Sequence, residues 1–130
     1  DISLCAPALL CPSLQLGSVH NIRPEGTEPQ THARHYCNLL MPRRNLTANA
    51  CKPTNTFIHA EHAEVDSICR SGGTLSTENY YDSHTAFPLT TCRLAGGAQK
   101  PPCNYRGRTS TQRIRVACVG GVPVHYKAQL

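Results

Sequence analysis

Tryptophan is absent from this 130-residue chain, phenylalanine occurs twice and methionine once. So few bulky groups, in a chain whose hydrophobic fraction is 39%, predict a thin core with little stability to spare. No run of about eighteen apolar residues occurs, which excludes a membrane-crossing helix. No period of about 20 to 50 residues repeats and no low-complexity tract appears, so a solenoid is excluded. The cysteines include no C-x-x-C pair of the kind that zinc ribbons and redox enzymes use. There is no glycine-rich nucleotide loop, and no His, Cys, Asp and Glu set has metal spacing, so neither cofactor nor metal is expected. Acidic residues are missing from Arg93 to Leu130, where Arg93, Lys100, Arg106, Arg108, Arg113, Arg115 and Lys127 stand alone.

What is present points outside the cytosol. A chain of this length makes one domain, so function belongs to a single site or surface. Eight cysteines supply what the core lacks, since each disulfide stabilises by about 2 to 4 kcal/mol. Disulfides persist in oxidising compartments, and a secreted protein is expected. The net charge of +5, segregated toward the C-terminal third, would draw polyanions such as nucleic acid or sulfated sugars. The plainer reading of the same charge is a solvated face with no partner. Residues 1–13 read as an irregular arm, because Pro7 and Pro12 interrupt any helix there. The moderately apolar stretch from Ile2 to Leu16 also resembles the core of a secretory leader, without the basic flank. A local bridge between Cys5 and Cys11 would tie the arm, and residues 14–130 form the domain.

Helices are expected early and strands late. Arg23 to Gln30 is a Pro- and Gly-bearing loop. Arg34 to Met41 reads as a helix that Pro42 ends or kinks. Glu61 to Arg70 reads as a second, with acids early, Arg70 last and Val65, Ile68 and Cys69 on one side. From Thr85 onward, A-F-P-L-T-T-C-R-L, P-C-N-Y-R, R-I-R-V-A-C-V and V-P-V-H-Y read as strands between Gly and Pro clusters. Alternation in the third places Ile114, Val116 and Cys118 inward and Arg113, Arg115 and Ala117 outward. The fold class is α+β with an antiparallel sheet.

Three segments carry chemistry. C-K-P-T-N-T-F, Cys51 to Phe57, anchors Lys52 beside a cysteine, with Thr56 following. P-V-H-Y projects His125 from an extended stretch, and S-V-H-N carries His20. Two imidazoles and an ammonium supply the base, the acid and the cation that a metal-free phosphodiester transfer needs.

The order C-x13-C-K-x-x-N-T-F, then cysteines at 69, 92, 103 and 118, then V-A-C-V-G-G-V-P-V-H-Y, resembles the pancreatic-type ribonuclease family, angiogenins included. The likeness runs from about Tyr36 to Tyr126. It implies a ribonuclease A-like fold, a bent antiparallel sheet with two or three short helices. The implied disulfides are Cys37 with Cys92, Cys51 with Cys103 and Cys69 with Cys118. Most members close a further disulfide loop just after the second helix; this chain lacks both of its cysteines, as angiogenins do, and carries S-G-G-T-L-S-T there instead.

Carried over by motif, the catalytic lysine falls on Lys52, the C-terminal histidine on His125, and the pyrimidine-contacting threonine on Thr56. Asn55, Tyr126, Arg93 and Lys127 are implied around the substrate, and Arg113 and Arg115 are further candidates for flanking phosphates. His20 falls on the N-terminal histidine, although Val19 and Leu16 replace the family's Gln and Phe and the interval to Cys37 is longer. His32 and His35 lie too close to Cys37 for that part and read as exposed. His59, His62 and His84 read as structural. Lys127 replaces a carboxylate that orients the C-terminal histidine, and a cation there would disfavour the imidazolium and slow catalysis, unless it turns outward to a phosphate. Val119 replaces a glutamate that contacts the second base, which weakens selectivity there.

The function implied is a secreted, monomeric endoribonuclease that cleaves single-stranded RNA after pyrimidines through a 2′,3′-cyclic phosphate. The alternative is a weakly active or inactive basic protein of the same fold, acting in host defence or angiogenin-like signalling. Expected partners are single-stranded RNA, anionic cell surfaces and a ribonuclease inhibitor. Asn45-Leu46-Thr47 satisfies the N-glycosylation rule, so a glycan is expected at Asn45.

Overall fold

A computed structural model of the chain describes residues 2–5, 29–97 and 100–130, with backbone alone for residues 29–31. The arm beyond residue 5, with Cys11, and the segment holding His20 lie outside the described residues.

The first helix, α1, spans Pro29–Arg43, longer than the expected Arg34 to Met41. Pro42 does not end it, because a proline in the last turn forfeits one hydrogen bond and little else. The stop comes from Asn45, whose φ of 60° is the left-handed conformation that asparagine tolerates. Its N–H donates to Pro42 O and that of Leu46 to Met41 O, both at 3.0 Å, closing the helix end. The second helix, α2, covers only His62–Asp66 and continues as a 3-10 turn over Ser67–Cys69. Glu64 Oε1 accepts the Glu61 N–H at 3.0 Å and caps its start. Its end tightens where Gly73 packs against Ile68, so close that a Cβ would stand 2.1 Å from the Ile68 carbonyl oxygen.

The strands are β1 Ser3–Leu4, β2 Thr54–Ile58, β3 Gly73–Leu75, β4 Tyr80–Ser83, β5 Phe87–Leu94, β6 Tyr105–Gln112, β7 Ile114–Val119 and β8 Val122–Gln129. They form two four-stranded sheets, ordered β1-β2-β5-β6 and β3-β4-β7-β8. The α+β expectation holds, with two corrections. The arm contributes a strand, β1, and it pairs with β2 in parallel, whereas the other pairings are antiparallel. The strand expected at P-C-N-Y-R instead begins at Tyr105 and runs on to Gln112, since Pro101 and Pro102 cannot join a ladder. Gly107 lets α1 lie on that strand, because a Cβ there would stand 2.3 Å from Ala33 backbone atoms. The β7–β8 hairpin turns on Gly120 and Gly121, both at positive φ.

Two cores result. Tyr36, Leu40 and Met41 of α1 pack on Phe57, Cys92 and Tyr105. Ile58, Val65, Ile68 and Leu89 pack with Ile114, Val116 and Cys118, which confirms the inward face read from β7. The disulfides are Cys37–Cys92, Cys51–Cys103 and Cys69–Cys118, the pairings that the resemblance implies. Cys5 is disulfide-bonded as well, to a partner outside the described residues.

Candidate active site

The β2 half of the site is built around Lys52. The Cys51–Cys103 disulfide fixes the residue before it, and the Tyr105 hydroxyl, fully buried, donates to Lys52 O at 2.7 Å. Its backbone is thereby held on both sides while its ammonium donates to Asn55 Oδ1 at 3.0 Å. Asn55 is buried and its Nδ2 donates to Ser3 Oγ at 3.1 Å, which attaches the arm to this edge. Ile58 O accepts the Cys5 N–H at 3.0 Å, so the backbone groups of β2 at alternate residues, Thr56 included, face the β1 edge.

Thr56 is 8% exposed and joins the two halves. Its hydroxyl lies 3.4 Å from that of Thr91, its partner in register on β5. Its side chain also lies beside the Tyr126 hydroxyl of β8, whose titration burial pushes up and Thr56 partly restores. Tyr126 precedes Lys127 and follows His125, so this proximity brings the strand segment that bears the histidine to the strand that follows Lys52. His125 is exposed and stands opposite Ala117 of β7.

The remaining predicted residues divide. Arg93 is exposed, opposite Thr54 and Arg106, on the face that carries Thr56. Lys127 places its ammonium 5.5 Å from the centre of the Tyr80 ring. Arg113 and Arg115, the further candidates for flanking phosphates, are engaged in part: Arg113 is exposed while its Nε donates to Ser83 O at 2.9 Å, and Arg115 is bidentate on Asp82 at 2.6 and 3.0 Å. That pair holds the Asp82 carboxyl below the usual carboxylate range.

His59 is structural as read, with its Nε2 2.7 Å from the buried Thr90 hydroxyl and its titration pushed by burial down to about 4. His32 departs from the exposed position expected, because it lies on α1 with its Nε2 buried. Asn45 is exposed just beyond α1. Among the described residues no group of His, Cys, Asp and Glu could hold a metal ion. Sequence reading missed Tyr105, Thr91 and Tyr80, which become neighbours of the site only through strand pairing and give no local signal.

This arrangement supplies an ammonium, an imidazole and a threonine hydroxyl from distant parts of the chain. The pancreatic ribonuclease family model matches residues 19–127. A ribonuclease of Chelonia mydas is 56% identical over 103 residues, covering 79% of this chain and 85% of its own. An angiogenin of Mus musculus is 37% identical over 107 residues, covering 82% and 70%. The crystal structure of green turtle egg white ribonuclease superposes with a TM-score of 0.75 at 53% identity, covering 82% and 88%. Fold, disulfide pairing and these likenesses agree that the chain belongs to the pancreatic ribonuclease family and is an endoribonuclease of that type.

Proposed function

We propose that this ribonuclease cleaves single-stranded RNA on the 3′ side of pyrimidines, with Lys52, His125 and His20 as its catalytic residues. The observation that supports it is the proximity of Thr56 to the Tyr126 hydroxyl, which brings the Lys52 segment to the His125 segment. Thr56 presents a backbone N–H and a hydroxyl that can both donate and accept, so it suits uracil and cytosine alike. His20, inside the stretch that the family model matches, takes the 2′-hydroxyl proton as general base. The freed oxygen bonds to phosphorus, the bond from phosphorus to the 5′-oxygen breaks, and His125 as general acid protonates that leaving oxygen. A 2′,3′-cyclic phosphate is left. Lys52 stabilises the charge that grows on the non-bridging oxygens. DNA lacks the 2′-hydroxyl and should bind without being cut.

Secretion is supported by the disulfide chemistry, since no cysteine among the described residues is free. The exposed Asn45 suits a glycan. Asn55, Arg93 and Lys127 flank the substrate. A second reading, a basic protein whose signalling or defence role outlives weak catalysis, is favoured by Lys127 in place of a carboxylate. Cleavage of poly(C) and poly(A) by the wild type, His125→Ala and His20→Ala decides between them. Poly(C) turnover should fall by several orders of magnitude in both variants, with poly(A) a poor substrate throughout. Turnover that survives His20→Ala would remove the base assignment, and bacterial killing that survives both variants would favour the second reading.

A further inference from the structure

Thr56 turns its backbone toward an edge that the arm covers. Ser3 stands opposite Phe57 and Leu4 opposite Ile58, in parallel. Continued by one residue, that register sets Ile2 opposite Thr56. The carbonyl of Ile58 accepts the Cys5 N–H at 3.0 Å, and the groups of alternate residues in a strand point the same way, so the Thr56 N–H and C=O also point at the arm. Neighbouring strands lie about 4.8 Å apart, which leaves no room for a planar base between Thr56 and Ile2. A base read by that N–H and a strand lying along that edge exclude one another.

Burial, side-chain hydrogen bonds and a disulfide seat the arm. Leu4 is buried in the core of Ile58, Leu89 and Val116, and Ile2 packs against it. Arg44, just beyond α1, donates from Nη2 to Leu4 O at 2.6 Å, with its guanidinium 5.7 Å from the centre of the Phe57 ring. Ser3 Oγ and the Asn55 side-chain amide exchange hydrogen bonds at 3.1 and 3.4 Å, and Asn55 in turn accepts from Lys52. Cys5 is disulfide-bonded, which fixes the far end of the strand. A two-residue ladder at a sheet edge is still the part of a fold where local opening costs least.

We propose that β1 is an autoinhibitory strand: docked, it occupies the β2 edge at which Thr56 binds a pyrimidine, and RNA engages only after Ile2 to Leu4 peel away while Cys5 stays tethered. The arm is a backbone competitor for the base. Apparent affinity for the base is then the intrinsic affinity multiplied by the fraction of molecules whose edge is open. The inference rests on the reading of Thr56 as the base-contacting residue.

Amide hydrogen exchange and titration with cytidine 3′-monophosphate, both followed by NMR in the full chain, test it. Ser3→Pro removes the N–H that the register aims at Thr56 O. Leu4→Asp removes the buried anchor and keeps the Ser3–Asn55 bonds. Both variants should speed exchange of the Ile58 amide, on the covered edge, by about tenfold. Both should also tighten binding of cytidine 3′-monophosphate by about tenfold, the factor expected of an arm docked about nine-tenths of the time. KM for a cytidylyl dinucleotide should fall by a similar factor with kcat unchanged. An Ile58 amide that exchanges at the wild-type rate in both variants overturns the docking. Faster exchange with unchanged or weaker nucleotide binding overturns the competition. Nucleotide binding indifferent to Thr56→Ala instead removes the base reading on which the competition rests, an outcome seen apart from exchange at Ile58.

Discussion

Replacing His59 by glutamine should flatten the dependence of stability on pH. The ring is 9% exposed, hydrogen-bonded to Thr90 and edge-on to Tyr36 at 5.6 Å, and burial lowers its titration from 6.5 to about 4. Between those two values the unfolded chain binds a proton that the folded chain refuses, so stability rises with pH across that window. The contribution is complete above about 6.5 and is lost as the pH falls toward about 4. At about 1.4 kcal/mol per pH unit, the full effect is about 3 kcal/mol. Glutamine keeps an amide that can reach Thr90 but does not titrate, at the cost of imperfect packing. Guanidinium denaturation of both proteins at about pH 7, 5.5 and 4 measures the difference. His59→Gln should be the less stable at neutral pH, and the gap should shrink by about 2 to 3 kcal/mol on acidification. Carboxylates titrate in both proteins and cancel in the comparison. Parallel stability curves would show that the buried imidazole is protonated without penalty, and the reasoning from its burial would be wrong.

Lys52→Ala should lower kcat on RNA by about a hundredfold to a thousandfold, as removal of one preorganised charge does, with little change in melting temperature by circular dichroism. Tyr105→Phe removes a buried bond to Lys52 O and should cost about 1 to 2 kcal/mol in a denaturant titration, together with a measurable loss of kcat. If stability falls and kcat does not, the hydroxyl anchors the fold but not the lysine. Gly107→Ala places a methyl against the α1 backbone at Ala33 and should destabilise by about 1 to 3 kcal/mol, read as a fall in the thermal midpoint. An unchanged midpoint would mean that α1 can shift off β6 freely.

The alternation in Ile114 to Val119 was readable because one face of a strand must be apolar, whereas Phe87–Leu94 and the first part of Val122–Gln129 were marked by the Gly and Pro clusters that bound them. Thr54–Ile58 was visible only as a motif, and Tyr80–Ser83, with two tyrosines and an aspartate, carries no hydrophobic alternation to read. Its place is set by pairing with β7. The length of α1 escaped for a related reason: Pro42 reads as a breaker, while the left-handed Asn45 that closes the helix is a three-dimensional fact.

By itself the sequence determined the chemistry available here: which side chains can carry charge or protons, and which segments alternate in polarity. Those properties are local, and composition and spacing record them. Only the tertiary structure decided that Thr56 meets Tyr126, that Arg113 and Arg115 reach β4, and that Lys127 rests on Tyr80. Each of these contacts joins residues 30 or more positions apart. Strand register fixes them, and register is a property of two chain segments at once.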